Sequence, residues 1–313
     1  MTRNDKVGAV IVTFFPNEEN LNNISFIASQ VTELFLFDNT PHDKLNFLDE
    51  AGGKRNLKVN FYNLQSKYRN IHLIFNGENI GLPINYNIGL RLALDLGMEF
   101  LILFDQDSKI NEQTIPELLK EYFKLNQRFK VGGIGSSNFD SEKDDFSSNV
   151  NFRSKKSSFY EDNELSEVIV KENSGLLLPI NIFNVIGSFN ETYFLDGLDY
   201  DLCMRLRLHG FRIFRSKKSL IIQAAGSLLT RKLFGFKIKF RYRGPDRTYL
   251  IFKSYLTLLL SYWKSSFQFS LKIIYDLVLI KIKIIFLYEN KKAHLSNAFK
   301  GSIDALFSIK KPR

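Results

Sequence analysis

Short apolar runs recur along the first two-thirds of the chain, and each breaks off into hydrogen-bonding side chains. Val7-Gly8-Ala9-Val10-Ile11-Val12-Thr13-Phe14-Phe15 is rich in β-branched residues and stops at Pro16. Asn17-Glu18-Glu19 then has the pattern of a helix start with acidic residues in its first turn. Residues 33–37 predict a second strand running into Asp38-Asn39-Thr40, and residues 71–75 a third that leads to Asn76-Gly77-Glu78-Asn79. Gly81 opens a segment whose apolar positions recur at helical spacing up to Leu96. Residues 101–104 form the next buried strand and end in Asp105-Gln106-Asp107; an amphipathic helix over 111–130 and a strand over 131–136 follow. Strands and helices in alternation predict an α/β fold with a mostly parallel sheet, its carboxyl edge lined by polar residues.

Beyond residue 136 the pattern lapses. Residues 137–167 are rich in Ser, Asp, Glu, Lys and Asn, and predict a long, mobile surface segment. The periodicity resumes at Ile169, passes Asn173-Ser174-Gly175, turns helical over 180–186, and reaches a second acidic cluster. There Asp196, Asp199 and Asp201 stand just before a helix in which Leu202, Met204, Leu206 and Leu208 mix with Arg205 and Arg207. Residues 249–288 are mostly apolar, but Lys253, Lys264, Lys272, Asp276, Lys281 and Lys283 interrupt every run before the roughly 18 residues of a spanning helix are reached. This region is predicted to lie on a membrane rather than through it; the competing reading has its helices pack on the catalytic domain or on a second copy of the chain.

Charge separates the two parts. The net charge is +10, yet residues 1–201 carry 19 Lys and Arg against 29 Asp and Glu, whereas residues 202–313 carry 24 against 4. Lysines interleaved with apolar residues suit an anionic membrane surface, and no nucleic-acid-binding motif accompanies them. One cysteine, Cys203, excludes an internal disulfide and a Cys-based zinc cluster. The polar opening, residues 1–6, predicts no signal peptide, hence a cytoplasmic protein at the inner face of the cell membrane.

Asp105 and Asp107 lie on one side of an extended chain at a strand's carboxyl end, where two hard oxygen donors and a nucleotide's phosphates suit Mg²⁺ or Mn²⁺. Neither a P-loop nor a G-x-G-x-x-G motif is present. The second acidic cluster offers a carboxylate for general-base work, while acidic residues in a first turn also simply complement the helix dipole.

Six motifs in order carry a resemblance: Val10-Ile11-Val12-Thr13-Phe14-Phe15-Pro16, Asp38-Asn39-Thr40, Asn79-x-Gly81 with Asn87-x-Gly89, Asp105-Gln106-Asp107, Ser174-Gly175, and Phe194-x-Asp196-x-x-Asp199-x-Asp201 followed by Arg205. The chain resembles the family 2 glycosyltransferases of the GT-A fold, and among them the bacterial rhamnosyltransferases of O-antigen and capsule synthesis. The resemblance implies a Rossmann-like catalytic domain over 1–230 and a basic helical region over 231–313. It implies that Thr13, Phe15 and Asp38 hold the base and ribose, with Asn79 and Gly81 beside them. Asp105 and Asp107 would hold the diphosphate through the metal, Ser174 and Gly175 would line the sugar and acceptor side, and Asp199, flanked by Asp196 and Asp201, would deprotonate the acceptor. The implied reaction is inverting transfer, with dTDP-rhamnose the favoured donor and a carbohydrate or lipid-linked saccharide the acceptor. A UDP-hexose or UDP-galactofuranose donor is the alternative within the family, and a non-catalytic sugar-nucleotide binding protein the alternative outside it. One departure stands out: where many relatives have His three residues before a Gly, this chain has Gln223-Ala224-Ala225-Gly226.

Overall fold

The computed structural model describes residues 5–48, 54–141, 145–146, 160–223, 228–233 and 235–308. The first half alternates strand and helix: β1 (Val7–Thr13), α1 (Glu18–Ala28), β2 (Glu33–Asp38), the short pair β3 (Asn46–Leu48) and β4 (Lys54–Asn56), α2 (Leu57–Lys67), β5 (Ile71–Phe75), α3 (Leu82–Asp95) and β6 (Phe100–Asp105). Then come α4 (Thr114–Asn126), β7 (Val131–Asp140), β8 (Asp145–Phe146), β9 (Leu165–Val168), β10 (Leu176–Pro179), α5 (Phe183–Ile186), α6 (Leu198–Leu208) and β11 (Arg212–Gln223). The chain closes with the hairpin β12 (Leu228–Leu233) and β13 (Phe236–Arg241) and three helices, α7 (Pro245–Tyr262), α8 (Phe267–Phe286) and α9 (Lys291–Phe307).

The main sheet runs β5-β2-β1-β6-β10-β7-β11-β9, with β8 beside β7. Strands β5, β2, β1 and β6 are parallel, so their carboxyl ends share one edge. Register aligns the motifs there: Thr13 pairs with Asp38, Asp38 with Phe75, and Val12 with Asp105. Burial on both faces explains why these strands read as continuous apolar runs. Strand β10 enters antiparallel between β6 and β7, which returns the Ser174-Gly175 turn to the same edge.

Helix α1 begins as its sequence predicts, with a reciprocal capping box between Asn17 and Asn20. Two expectations fail. Within 137–167, β7 continues to Asp140 and Leu165–Val168 is a strand; residues 142–144 and 147–159 lie outside the described residues. Polar residues are buried in this strand because they find partners: Ser136 Oγ lies 2.7 Å from Ser219 Oγ, and Ser137 Oγ donates to the Ser216 carbonyl at 2.7 Å. The second acidic cluster does not wholly precede its helix either, since α6 starts at Leu198 and carries Asp199 and Asp201 in its first turn.

No helix among the described residues is long and apolar enough to cross a membrane. The expected boundary at residue 230 falls within β12, and Leu258, Tyr262, Phe269 and Ile273 from α7 and α8 join the apolar cluster that contains Tyr86 and Leu202. Helix α9 docks on α7 through buried His294, whose Nδ1 lies 2.8 Å from Thr248 Oγ1, and through Tyr249, which donates to Asp304 at 2.7 Å. Gly301 permits this approach: a Cβ there would sit 2.4 Å from the Tyr249 carbonyl oxygen. Backbone cannot yield as a side chain can, so Gly301→Ala is expected to cost about 1–3 kcal/mol, read as a lowered Tm.

Candidate active site

The carboxyl edge is organised first by Asp38. Its fully buried carboxylate accepts through Oδ1 from Thr13 Oγ1 at 2.7 Å and from Thr40 Oγ1 at 3.0 Å, while Oδ2 has no hydrogen-bond partner among the described residues. Burial pushes this carboxyl up, and the two hydroxyls oppose the shift. Beside it, Phe15 adopts φ +49° with its ring exposed, an unusual conformation for an aromatic residue, and its amide donates to Thr40 Oγ1 at 2.9 Å.

Four asparagines fix the neighbouring loop. Asn39 Nδ2 donates to Asn79 Oδ1 at 3.0 Å, Asn76 Nδ2 to Asn39 Oδ1 at 2.7 Å, and Asn85 Nδ2 to the Gly81 carbonyl at 2.7 Å. Asn79 is thus engaged in shaping the loop, its Oδ1 also accepting from the Gly81 amide at 3.2 Å. Gly81 has φ +84°, and a Cβ there would meet the Phe194 carbonyl oxygen at 2.8 Å. The Leu82 amide donates to that same oxygen at 2.9 Å, which draws the second acidic segment against the first half of the sheet.

The two acidic groups share electrostatic neighbours. Asp105 and Asp199 both disfavour ionisation of buried Tyr86, after the larger effect of its burial, and Glu172 bears on both carboxylates. Burial first, then the Asp107 charge, pushes Asp105 up to about 6 against the opposing charges of Lys171 and Arg247. Burial likewise pushes Asp199 up to about 7; its backbone partner at Tyr200, 3.0 Å away, opposes this, and Glu172 and Asp196 add to it. Gln106 holds the first loop, its Oε1 accepting from the Phe14 amide at 2.8 Å.

The three candidate bases differ in their surroundings. Asp196 Oδ1 accepts from Arg247 at 3.1 Å and lies 3.7 Å from Arg243. Asp201 is buried and fully engaged: Tyr262 Oη donates at 2.7 Å, Asn190 Nδ2 at 3.3 Å and Arg205 Nε at 2.8 Å. Asp199 has no cationic partner among the described residues. Ser174 Oγ lies 2.8 Å from Ser108 Oγ and 3.5 Å from the Asp105 amide, and Gly175, with φ +72°, donates to the Leu103 carbonyl at 2.7 Å.

Sequence reasoning missed Lys171, Glu172, Arg243 and Arg247. Lys171 is wholly buried, and its ammonium donates to the Ser174 carbonyl at 3.1 Å and pairs with Glu172 at 3.2 Å. Gly135 makes room for it, since a Cβ there would lie 2.5 Å from the lysine stem. A lysine abutting the apolar run 168–170 was the available signal; nothing local marks the two arginines, which fold back from the start of α7. Gln223 ends β11 with its Oε1 buried and without a hydrogen-bond partner among the described residues; residues 224–226, the rest of that motif, lie outside the described residues.

A mostly parallel sheet with polar loops and acidic residues at its carboxyl edge is the GT-A fold. Residues 31–176 match the model of Glycosyl transferase family 2. A dTDP-rhamnosyl transferase of Shigella flexneri is 28% identical over 271 residues, spanning 82% of this chain and 84% of that protein. Among solved structures, S. aureus TarS 1-349 has a TM-score of 0.56 at 14% identity, covering 96% of this chain and 80% of that one. GalNAc-T7 with UDP, GalNAc and Mn²⁺ has a TM-score of 0.55 at 11% identity, covering 83% and 48%. The chain is thus similar to family 2 glycosyltransferases over residues 31–176, and to a rhamnosyl transferase over most of its length.

Proposed function

We propose that the chain is an inverting rhamnosyltransferase, using dTDP-rhamnose to extend a carbohydrate or lipid-linked saccharide in O-antigen or capsule synthesis at the inner face of the cell membrane. The observation that carries it is the bond from the Leu82 amide to the Phe194 carbonyl at 2.9 Å, which brings the segment leading to Asp199 to the edge where Asp105 ends β6 and supports one cleft with a phosphate side and an acceptor side. The choice of rhamnose rests on the similarity to the Shigella protein.

In this reading the unpartnered Oδ2 of Asp38 accepts from the imide N–H of thymine, and the exposed Phe15 ring covers the base. Uracil presents the same imide, which keeps UDP-hexose and UDP-galactofuranose as the alternative donors. Asp38→Asn is expected to weaken dTDP and UDP alike by about 10-fold or more, because an amide nitrogen turned toward the imide gives two donors face to face; calorimetry with both nucleotides checks this.

Asp105 and Asp107 suit a divalent cation in donor type and in their mutual repulsion, which cation binding would relieve. Among the described residues no set of three or more His, Cys, Asp or Glu gathers to cage a metal. Two carboxylates completed by substrate phosphates are the usual arrangement for Mg²⁺. When bound, Mg²⁺ or Mn²⁺ would supply charge neutralisation to the departing nucleoside diphosphate. Arg247, which favours the ionised form of Asp105 and pairs with Asp196, adds a fixed positive charge to the same side. It partly replaces the histidine absent at Gln223.

Asp199 then takes the acceptor hydroxyl proton as that oxygen attacks the anomeric carbon, and the carbon inverts in a single displacement. Asp196, held by two arginines, positions the loop, and Asp201 positions α6. Ser174 and Gly175, pinned by Lys171, line the sugar side. Incubation with a panel of nucleotide sugars and Mg²⁺ or Mn²⁺, with and without chelator, tests the proposal. Transfer or nucleotide release from dTDP-rhamnose above all others is expected, and preference for a UDP-sugar would replace the donor assignment.

A further inference from the structure

Helix α8 packs through Phe269, Ser270, Ile273 and Ile284, which are buried. Its opposite side is apolar as well. Phe267, Leu271, Ile274, Tyr275, Val278, Ile282, Ile285 and Phe286 are all exposed, Phe267 at 72% and Tyr275 at 58%. At about 100° per residue these eight positions fall within a single arc of about 120°, with no charged residue inside it. Lys281 borders one edge of the stripe, and Lys272, paired with Asp276, lies beyond the other.

Both ends of the stripe carry features of an aqueous–lipid boundary. At the amino-terminal end, exposed Trp263 lies beside Lys264, whose ammonium is 5.3 Å from the indole centroid. At the carboxyl-terminal end, Arg231, Lys291 and Lys292 outnumber Glu289 in a cavity that Tyr288 and Asn290 also line. An isolated exposed Leu would need no explanation, but a continuous stripe along a 20-residue helix does.

We propose that this stripe is the face on which the protein seats on an anionic lipid bilayer. Helix α8 lies parallel to the surface with its apolar side chains at the acyl boundary, and exposed Lys264 and Lys281 meet lipid phosphates. The charge decides for lipid over a second copy: residues 202–313 carry 24 basic against 4 acidic side chains, so a symmetric pairing would set like charges together, whereas an anionic leaflet complements them. The inference fits a lipid-linked acceptor but does not depend on the donor sugar or on the catalytic assignments.

Flotation of the full chain with vesicles of phosphatidylcholine alone, and with added phosphatidylglycerol, tests it. Binding is expected to the anionic vesicles, to weaken with salt, and to fall at least ~10-fold in the double variant Ile274→Glu, Val278→Glu. Both side chains already face water, so the variant's Tm and its nucleotide-sugar turnover on a soluble acceptor should match those of the parent. No binding of the folded parent to anionic vesicles overturns the proposal. So does a lipid-free dimer, seen by light scattering, that the double variant dissociates. Loss of turnover in the parent would instead count against the transferase assignment, not against this face.

Discussion

Asp199→Asn is expected to lower the transfer rate by about 10²–10⁴-fold while leaving nucleotide binding intact, since the proposed role of the side chain is toward the acceptor. Burial holds the carboxyl at about 7, so the parent's rate should rise with pH to a plateau above that value and fall below it, as protonation removes the base. In the variant the limb near pH 7 should disappear. Stability moves in the opposite sense. A carboxyl raised in the folded state binds more protons than the unfolded chain between its ordinary value of 3.8 and about 7, so stability drains away as pH climbs through that window. Asn carries no charge to desolvate, and the variant should melt higher than the parent at pH 8 and differ least near pH 4. Rate–pH profiles paired with thermal melts separate this from a merely structural role.

Asp201→Ala should give the largest stability loss of the three acidic positions, about 3–5 kcal/mol, visible as a large drop in Tm. Its carboxylate gathers Tyr262 from α7, Asn190 from the preceding loop and Arg205 one turn along α6. Removing it leaves a mostly buried guanidinium without its counter-ion. Asp196→Ala, which frees two partly exposed arginines, should cost much less. If Asp201→Ala melted like the parent, the distinction drawn between a positioning aspartate and a base would fail.

The parallel half of the fold was legible because its strands are buried on both faces and its helices on one, so apolar runs alternate with amphipathic stretches. The first-half motifs were legible for a related reason: parallel strands bring their carboxyl ends to one edge whatever the loop lengths, which is how Thr13, Asp38 and Asp105 come together. Strand β9, the extension of β7 and the hairpin β12–β13 were not. The extension of β7 is polar, and only neighbours distant in sequence, such as Ser216 for Ser137, make it buried strand rather than loop; the hairpin is lysine-rich and largely exposed, held by the pairing of its own two strands.

The sequence by itself determined the α/β class, the acidic pair at the end of β6 and the basic, interrupted apolar character of the last third, because these depend on local periodicity and composition. Tertiary structure alone decided which of three neighbouring aspartates is tied to an aromatic hydroxyl, which to arginines and which stays without a cation. It also decided which side of α8 packs inward. Such distinctions arise from partners tens of residues away, and spacing along a chain holds no record of them.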